Sequence, residues 1–129
     1  MEAAIFFTKS EENLTAAQLC LQNGLFNASA NRAYYAMFQA AVAILLTRGI
    51  TFDPKQHLDH ALIRSLFSNE FIHRKKVFQR KYASSLYDAL ALRILADYQT
   101  TTISARKARQ LLLRAEEFIH IIKAEFGHA

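Results

Sequence analysis

An all-α protein, an up-and-down antiparallel bundle of four to five helices, is what this sequence specifies, and three observations specify it. Glycine and proline are scarce: three Gly and one Pro in 129 residues, against a typical share of about 12%. A sheet protein of this size needs many tight turns whose φ > 0 positions are normally glycine. Apolar residues recur at helical spacing, as in Tyr34, Phe38, Ala41, Val42 and Leu45 behind Asn31, and again in Ala108, Leu111, Leu112, Ala115, Phe118, Ile119 and Ile122. The breaks at Gly24, Gly49, Pro54 and Thr100 to Thr102 then divide the chain into helix-sized pieces. The length fits one domain over residues 1–129. With 52% hydrophobic and 21% charged residues the chain is not largely disordered, and the absence of a Gly-rich phosphate turn argues against a doubly wound α/β fold.

The first helix is expected over Glu2 to Asn23, with Phe7, Leu14, Ala17 and Leu21 on one side and Gly24 ending it in the left-handed conformation. Thr8 and Glu11 resemble a capping box, which offers Thr8 as an alternative start. The second covers about Asn27 to Arg48 and stops at Gly49, with Arg32, Tyr35 and Gln39 on the flank beside its apolar stripe. Pro54 after Asp53 keeps that stretch extended, and a shorter helix follows from about Lys55 or His57 to Phe67. Residues 68 to 79 lack a clear period and contain most of the run His73, Arg74, Lys75, Lys76, Arg80, Lys81, so an exposed connection is expected. Tyr82 to Gln99 is apolar nearly all round, as a central helix packed on several sides would be. The three threonines break it, and Ser104 caps the last helix.

Sixteen basic against eleven acidic residues give a net charge of +5, which favours polyanionic partners without naming one. Cys20 is the only cysteine, so no intrachain disulfide forms and a reducing, cytoplasmic setting is expected. The stretch from Met1 to Phe7 contains Glu2 and is too short in apolar residues for a secretory signal, and Ala33 to Leu46 is too short to span a bilayer, so no membrane role is expected.

Projected at about 100° per residue, Arg93 shares a line with Leu86, Leu90 and Asp97. An unpaired buried guanidinium costs several kcal/mol. It therefore needs a partner, an opening or a ligand. Asp97, one turn on, is the local partner; a planar anion such as phosphate, which a guanidinium grips bidentately, is the alternative. His57 and His60 lie three apart with Asp53 and Asp59 nearby, a spacing compatible with a metal. No third ligand is evident, and no metal or other cofactor is expected. Tyr34 reads as core, while Tyr35 beside Arg32 could stack on a base. The charge run reads as a solvated loop, with phosphate contact as its alternative. No Ser/His/Asp or Cys/His arrangement is readable.

Asn31-Arg32-Ala33-Tyr34-Tyr35-Ala36-Met37-Phe38-Gln39-Ala40-Ala41, then Lys55-Gln56-His57, then Arg93-Ile94-Leu95-Ala96-Asp97-Tyr98 together resemble the HEPN domain in its small single-domain prokaryotic branch. The resemblance implies a helical bundle that is usually a homodimer. Many such proteins are encoded beside a minimal nucleotidyltransferase as toxin–antitoxin-like pairs, and catalytic members cut RNA without metal. Those members follow their arginine with a polar residue and, a few positions later, a histidine. Here Ile94 follows Arg93, Tyr98 stands five residues on, and no histidine lies between them or in the next turn. Tyrosine, with a reference pKa of about 10, is a poor base near neutrality, so the usual Arg/His cleavage is not expected. The tyrosine that the neighbouring nucleotidyltransferase modifies in such members is Thr100 at the matching position here.

The sequence thus points to a site in which Arg93 contacts phosphate, Asp97 orients it and Tyr98 supplies a hydroxyl or a stacking face. Asn31, Arg32, Tyr35, Lys55 and His57 form its rim. The ligand class is RNA or a nucleotide. Two alternatives stay open: a metal-independent endoribonuclease in which His57 replaces the missing histidine, and a non-catalytic partner subunit of a nucleotidyltransferase.

Overall fold

The computed structural model describes residues 2–52, 59–74, 76–98, 100 and 102–126. They form α1 (Ala3–Gln22), α2 (Phe26–Thr47), α3 (His60–Phe67) continued by a π-helical stretch (Ser68–Arg74), α4 (Lys81–Tyr98) and α5 (Ala105–Phe126). The boundaries follow from the chemistry of their ends. Gly24 sits at φ +75°, and the Leu25 N–H donates to the Cys20 carbonyl at 2.8 Å while the Gly24 N–H reaches Leu21, which satisfies two otherwise orphaned carbonyls of α1. Gly49, at φ +83°, closes α2 in a similar way. The Asp59 carboxylate accepts from the Ala61 and Leu62 amides at the start of α3, and the Ser104 hydroxyl accepts from the Lys107 amide at the start of α5.

Pairings across the helices fix the topology. Ser29 meets Ala17 and Ser10 meets Ala36, so α1 and α2 run antiparallel. Arg93 meets Tyr35 and Asp97 meets Asn31, which makes α4 antiparallel to α2. Lys81 and Asp88 meet Glu117 and Arg114, which makes α4 antiparallel to α5. Asn27 and Arg48 meet Ile103 and Glu125, so α2 and α5 run parallel. The helices therefore form a bundle with α2 and α5 packed together through the middle and α1 and α4 on opposite flanks. The α5 stripe is buried in full, from Ala108 through Ile122. The α1–α2 seam is lined by Ala17, Ala33, Ala36 and Ala40, all without solvent exposure. These small side chains allow close backbone approach, and the buried Ser10 and Ser29 hydroxyls donate across it to the Ala36 and Ala17 carbonyls at 2.6 and 2.8 Å.

Two sequence expectations are corrected here. Thirteen of the 22 residues of α2 are buried, against three of the 18 in α4, so α2 and not α4 is the central helix. The apolar character of α4 is partly spent on its outer side, where Tyr87, Ile94 and Tyr98 are exposed. Residues 68 to 79 are also more than an exposed connection, because Phe71 and Ile72 of the π-helical stretch are buried. Phe71 packs with Phe67 and Phe78, and Phe67 in turn with Phe118. A wider-than-α turn shifts its side chains out of the 3.6-residue pattern. That removes the period by which the segment could be read. Lys76, at φ +53°, takes the left-handed position that ends this stretch, and the Val77 and Phe78 amides both donate to the Phe71 carbonyl. No helix among the described residues is long and apolar enough to cross a membrane.

Candidate functional site

The antiparallel pairing of α2 and α4 sets Asn31 opposite Asp97 and Tyr35 opposite Arg93. The Asn31 amide donates to Asp97 Oδ2 at 2.8 Å. Arg93 Nη2 donates to the Tyr35 hydroxyl at 3.0 Å and, more weakly, to the Tyr98 hydroxyl at 3.4 Å. The guanidinium carbon lies 5.3 Å from the centroids of both the Tyr35 and Tyr98 rings, within range of a cation–π attraction. On the α1 side Arg32 folds over Tyr35 at 5.4 Å. It donates through Nε to Asn31 Oδ1 at 2.8 Å and through Nη1 to Asn13 Oδ1 at 3.2 Å, and Asn13 in turn donates to Gln39.

Arg93 is paired but not sealed. Its Nε lies 3.0 Å from Asp97 Oδ2, and the side chain keeps 16% of its surface exposed, against 24% for Asp97. The Nε–H is nevertheless buried and finds no hydrogen-bond acceptor among the described residues. The distance makes an ion pair, while the N–H direction misses the carboxylate, so the contact is Coulombic rather than a directed hydrogen bond. The local partner expected from the i, i+4 spacing is real, and it leaves donor capacity on the guanidinium. Tyr98 is 69% exposed, so the one aromatic cover on the outer side of Arg93 is held by little besides that long contact.

His60, the first residue of α3, was weighed in the sequence only as half of a metal pair. Its ring instead stacks on Phe38 and Tyr34, with centroids 4.3 and 5.5 Å away, and meets Tyr35 edge-on at 6.0 Å. Its Nδ1 shares a hydrogen bond with the Tyr34 hydroxyl. Burial, and then the positive charge of Arg93, hold its pKa below the ordinary histidine value, against a weaker opposing pull from Asp59. Burial likewise pushes the Tyr34 phenol upward, with Tyr35 adding to it. The imidazole is therefore neutral near pH 7 and stands beside the same tyrosine that Arg93 touches.

Of the residues singled out from sequence, Asn31, Arg32, Tyr35, Arg93, Asp97 and Tyr98 come together. Lys55 and His57 lie outside the described residues, as does Asp53 of the metal pair. Asn13 and His60 were missed as members of this network. Gln39 was visible on the Arg32 flank, whereas Asn13 gives no signal, because a polar residue on an outer helix normally faces water. From the basic run, His73, Lys76, Arg80 and Lys81 are exposed, with Lys81 paired to Glu117 at 2.7 Å.

A guanidinium flanked by two phenol hydroxyls, with a second arginine over the same Tyr35 ring, is a set of donors suited to an oxyanion. Comparison with known proteins places these residues in a family. A family model of the HEPN domain matches residues 3–125. A protein of Methanocaldococcus jannaschii named "Putative toxin" is 33% identical over 88% of this chain and 81% of its own length. A UPF0332 protein of Pyrococcus horikoshii is 38% identical over 80% of this chain and 68% of its own length, and a UPF0332 protein of Gloeobacter violaceus is 30% identical over 88% and 86%. With a helical bundle whose Asn31–Arg32–Tyr35 and Arg93–Asp97–Tyr98 blocks meet in one network, and a family match that spans all five α-helices, this chain belongs to the HEPN family.

Proposed function

We propose that this HEPN protein is the toxin-like member of a toxin–antitoxin-like pair and binds RNA, or a nucleotide, at the Arg93 site. The observation that carries this reading is the state of Arg93: ion-paired, partly exposed, and with a buried Nε–H that no acceptor among the described residues meets. Arg93 takes the phosphate, Asp97 holds the guanidinium in place, and Tyr98 closes over the ligand or stacks on its base. Arg32 and Tyr35 border the site, with Asn31 tying them to Asp97. The chain acts in the cytoplasm as a homodimer, the exposed Ile94 of α4 being covered by a second copy. A minimal nucleotidyltransferase is its protein partner.

Fluorescence anisotropy with a labelled single-stranded RNA tests the reading. Arg93→Ala should weaken binding by roughly tenfold or more, as loss of a charged hydrogen-bonding partner does, and wild-type affinity should fall steeply with salt. RNA binding that is absent, or flat in salt, would favour a protein-only partner of the nucleotidyltransferase.

A second reading, a metal-independent endoribonuclease, is favoured by one observation: His60 reaches Tyr35 from α3 and is held neutral. It takes the role that the sequence offered to His57. In the tautomer whose Nδ1 donates to the Tyr34 hydroxyl, Nε2 keeps the lone pair a general base requires. RNA cleavage in EDTA that disappears in both Arg93→Ala and His60→Ala supports the enzyme; no cleavage supports the binder.

A further inference from the structure

Between α3 with its π-helical continuation and α4 lies a cavity of about 460 Å³, lined by Arg64, Ser65, Ser68 and Asn69 from one side and Ala83, Ser84, Tyr87 and Asp88 from the other. Its size is that of a site for one small organic ligand. Its lining is polar in an unusual way for a gap between two helices: three serine hydroxyls and a carboxamide, with one aromatic ring and one guanidinium. Arg64 lies 4.8 Å over the Tyr87 ring. Tyr87 nonetheless stays 58% exposed, so the guanidinium covers one part of the ring and leaves the rest open. The single carboxylate of the wall, Asp88, faces Arg114 at 3.6 Å, which offsets its charge and leaves Arg64 to set the sign of the pocket.

We propose that this cavity is a second nucleotide subsite, which seats one nucleotide of the same single-stranded RNA whose phosphate is held at Arg93. The inference rests on the RNA-binding reading above and extends it along the strand. A base stacks on the open face of Tyr87, the flanking phosphate is drawn to Arg64, and the serine hydroxyls and the Asn69 amide meet the ribose and the base edge. This combination of stacking surface and cation is how proteins hold unpaired nucleotides. The register of α3 sets the two sites close together. Arg64 is one turn beyond His60 on α3, about 6 Å along the axis, and Tyr87 precedes Arg93 on the antiparallel α4. On α4, however, the two side chains stand six residues and about 120° apart, so a strand that joins the two sites passes partway round that helix. Both guanidinium groups also act on the Tyr34 phenol, each favouring its ionised form, as two cations on one wall would.

Labelled single-stranded RNA of about a dozen nucleotides, titrated with the full chain, tests this by anisotropy. Tyr87→Ala should weaken binding by about tenfold, the loss of one base–aromatic stack, while Tyr87→Phe should keep wild-type affinity. Arg64→Gln should lower the slope of log affinity against log salt by about one, as removal of one phosphate contact does. Tyr87→Ala with unchanged affinity, while Arg93→Ala binds more weakly, overturns the subsite and leaves the Arg93 reading intact. The reverse pattern retains the subsite and overturns the Arg93 reading. A wild-type chain that binds no RNA overturns both. Light scattering on each variant guards against a different role for Tyr87: a changed oligomeric state with unchanged RNA affinity would assign the ring to a protein interface and overturn the subsite.

Discussion

Helix α2 builds two seams, and they treat polar groups in opposite ways. Against α1 it presents alanines, and the only buried hydroxyls there among the described residues, Ser10 and Ser29, are each spent on a carbonyl of the facing helix. Where the seam turns polar, Arg32 donates to Asn13 and Asn13 to Gln39. Against α4 the same helix presents Asn31 and Tyr35 to Arg93, Asp97 and Tyr98, a network in which the Arg93 Nε–H finds no acceptor among the described residues and one aromatic lid is largely in water. A fully satisfied seam maximises stability; a partly satisfied one stores binding capacity at the cost of stability. The closed seam is where the fold is held, and the open one is where a ligand gains most by arriving.

The sharpest way to break this contrast is to overfill the closed seam. Ala17 has no exposed surface, and its carbonyl accepts the Ser29 hydroxyl, so Ala17→Leu must push α1 and α2 apart. A loss of about 1–3 kcal/mol is expected from chemical denaturation, whereas Tyr98→Ala in the open seam should change stability by less than about 0.5 kcal/mol. Equal losses would mean that the two seams are not mechanically different. Ser10→Ala and Ser29→Ala probe the same seam more gently. Each should cost about 1 kcal/mol, the net worth of a buried hydrogen bond, with no effect on RNA affinity.

Legibility in the sequence divides along the same line. The closed half was readable because it obeys simple periods and simple punctuation: the α5 stripe is buried residue for residue, and Gly24, Gly49 and Ser104 end or start helices where their chemistry says they should. The Arg93–Asp97 pair was readable from its i, i+4 spacing. What could not be read depends on contacts between distant segments. Apolar content marked α4 as central, but which of two apolar helices takes the middle is decided by packing against the others, and the alanine-lined α2 can be approached more closely. The π-helical stretch hid Phe71 and Ile72 by breaking the period. His60 read only as half of a metal-spaced pair with His57 because its partners, Tyr34 and Phe38, lie more than twenty residues away.

The charges of the open seam offer a finer test. Removing only Arg93 strands the Asp97 carboxylate, and removing only Asp97 strands the guanidinium, so each single change is destabilising by more than the pair is worth. The double change Arg93→Met with Asp97→Asn removes both charges together, keeps the volume and leaves Asn31 an amide to bond. Its thermal midpoint should match or exceed that of the wild type in differential scanning fluorimetry, although the Arg93-dependent RNA affinity is gone. A midpoint well below those of the single variants would show that the ion pair holds the seam together and is not kept for a ligand.

The smallest expected effect is the most specific to the site. His60 has its pKa lowered in the folded protein by burial and by Arg93, so the unfolded chain, titrating near 6.5, takes up a proton that the folded chain refuses until lower pH. Stability contributed by the neutral ring is thus complete above about pH 6.5 and is lost as pH falls from there through the folded-state pKa. Urea unfolding at a series of pH values should show this decline in the wild type and a shallower one in His60→Gln. In Arg93→Met the decline should also become shallower, because one of the two causes of the depression is then absent while burial remains. A slope in the arginine variant equal to the wild type's would mean that the guanidinium and the imidazole do not sense each other, and with that the electrical link between α3 and the α2–α4 seam would be lost.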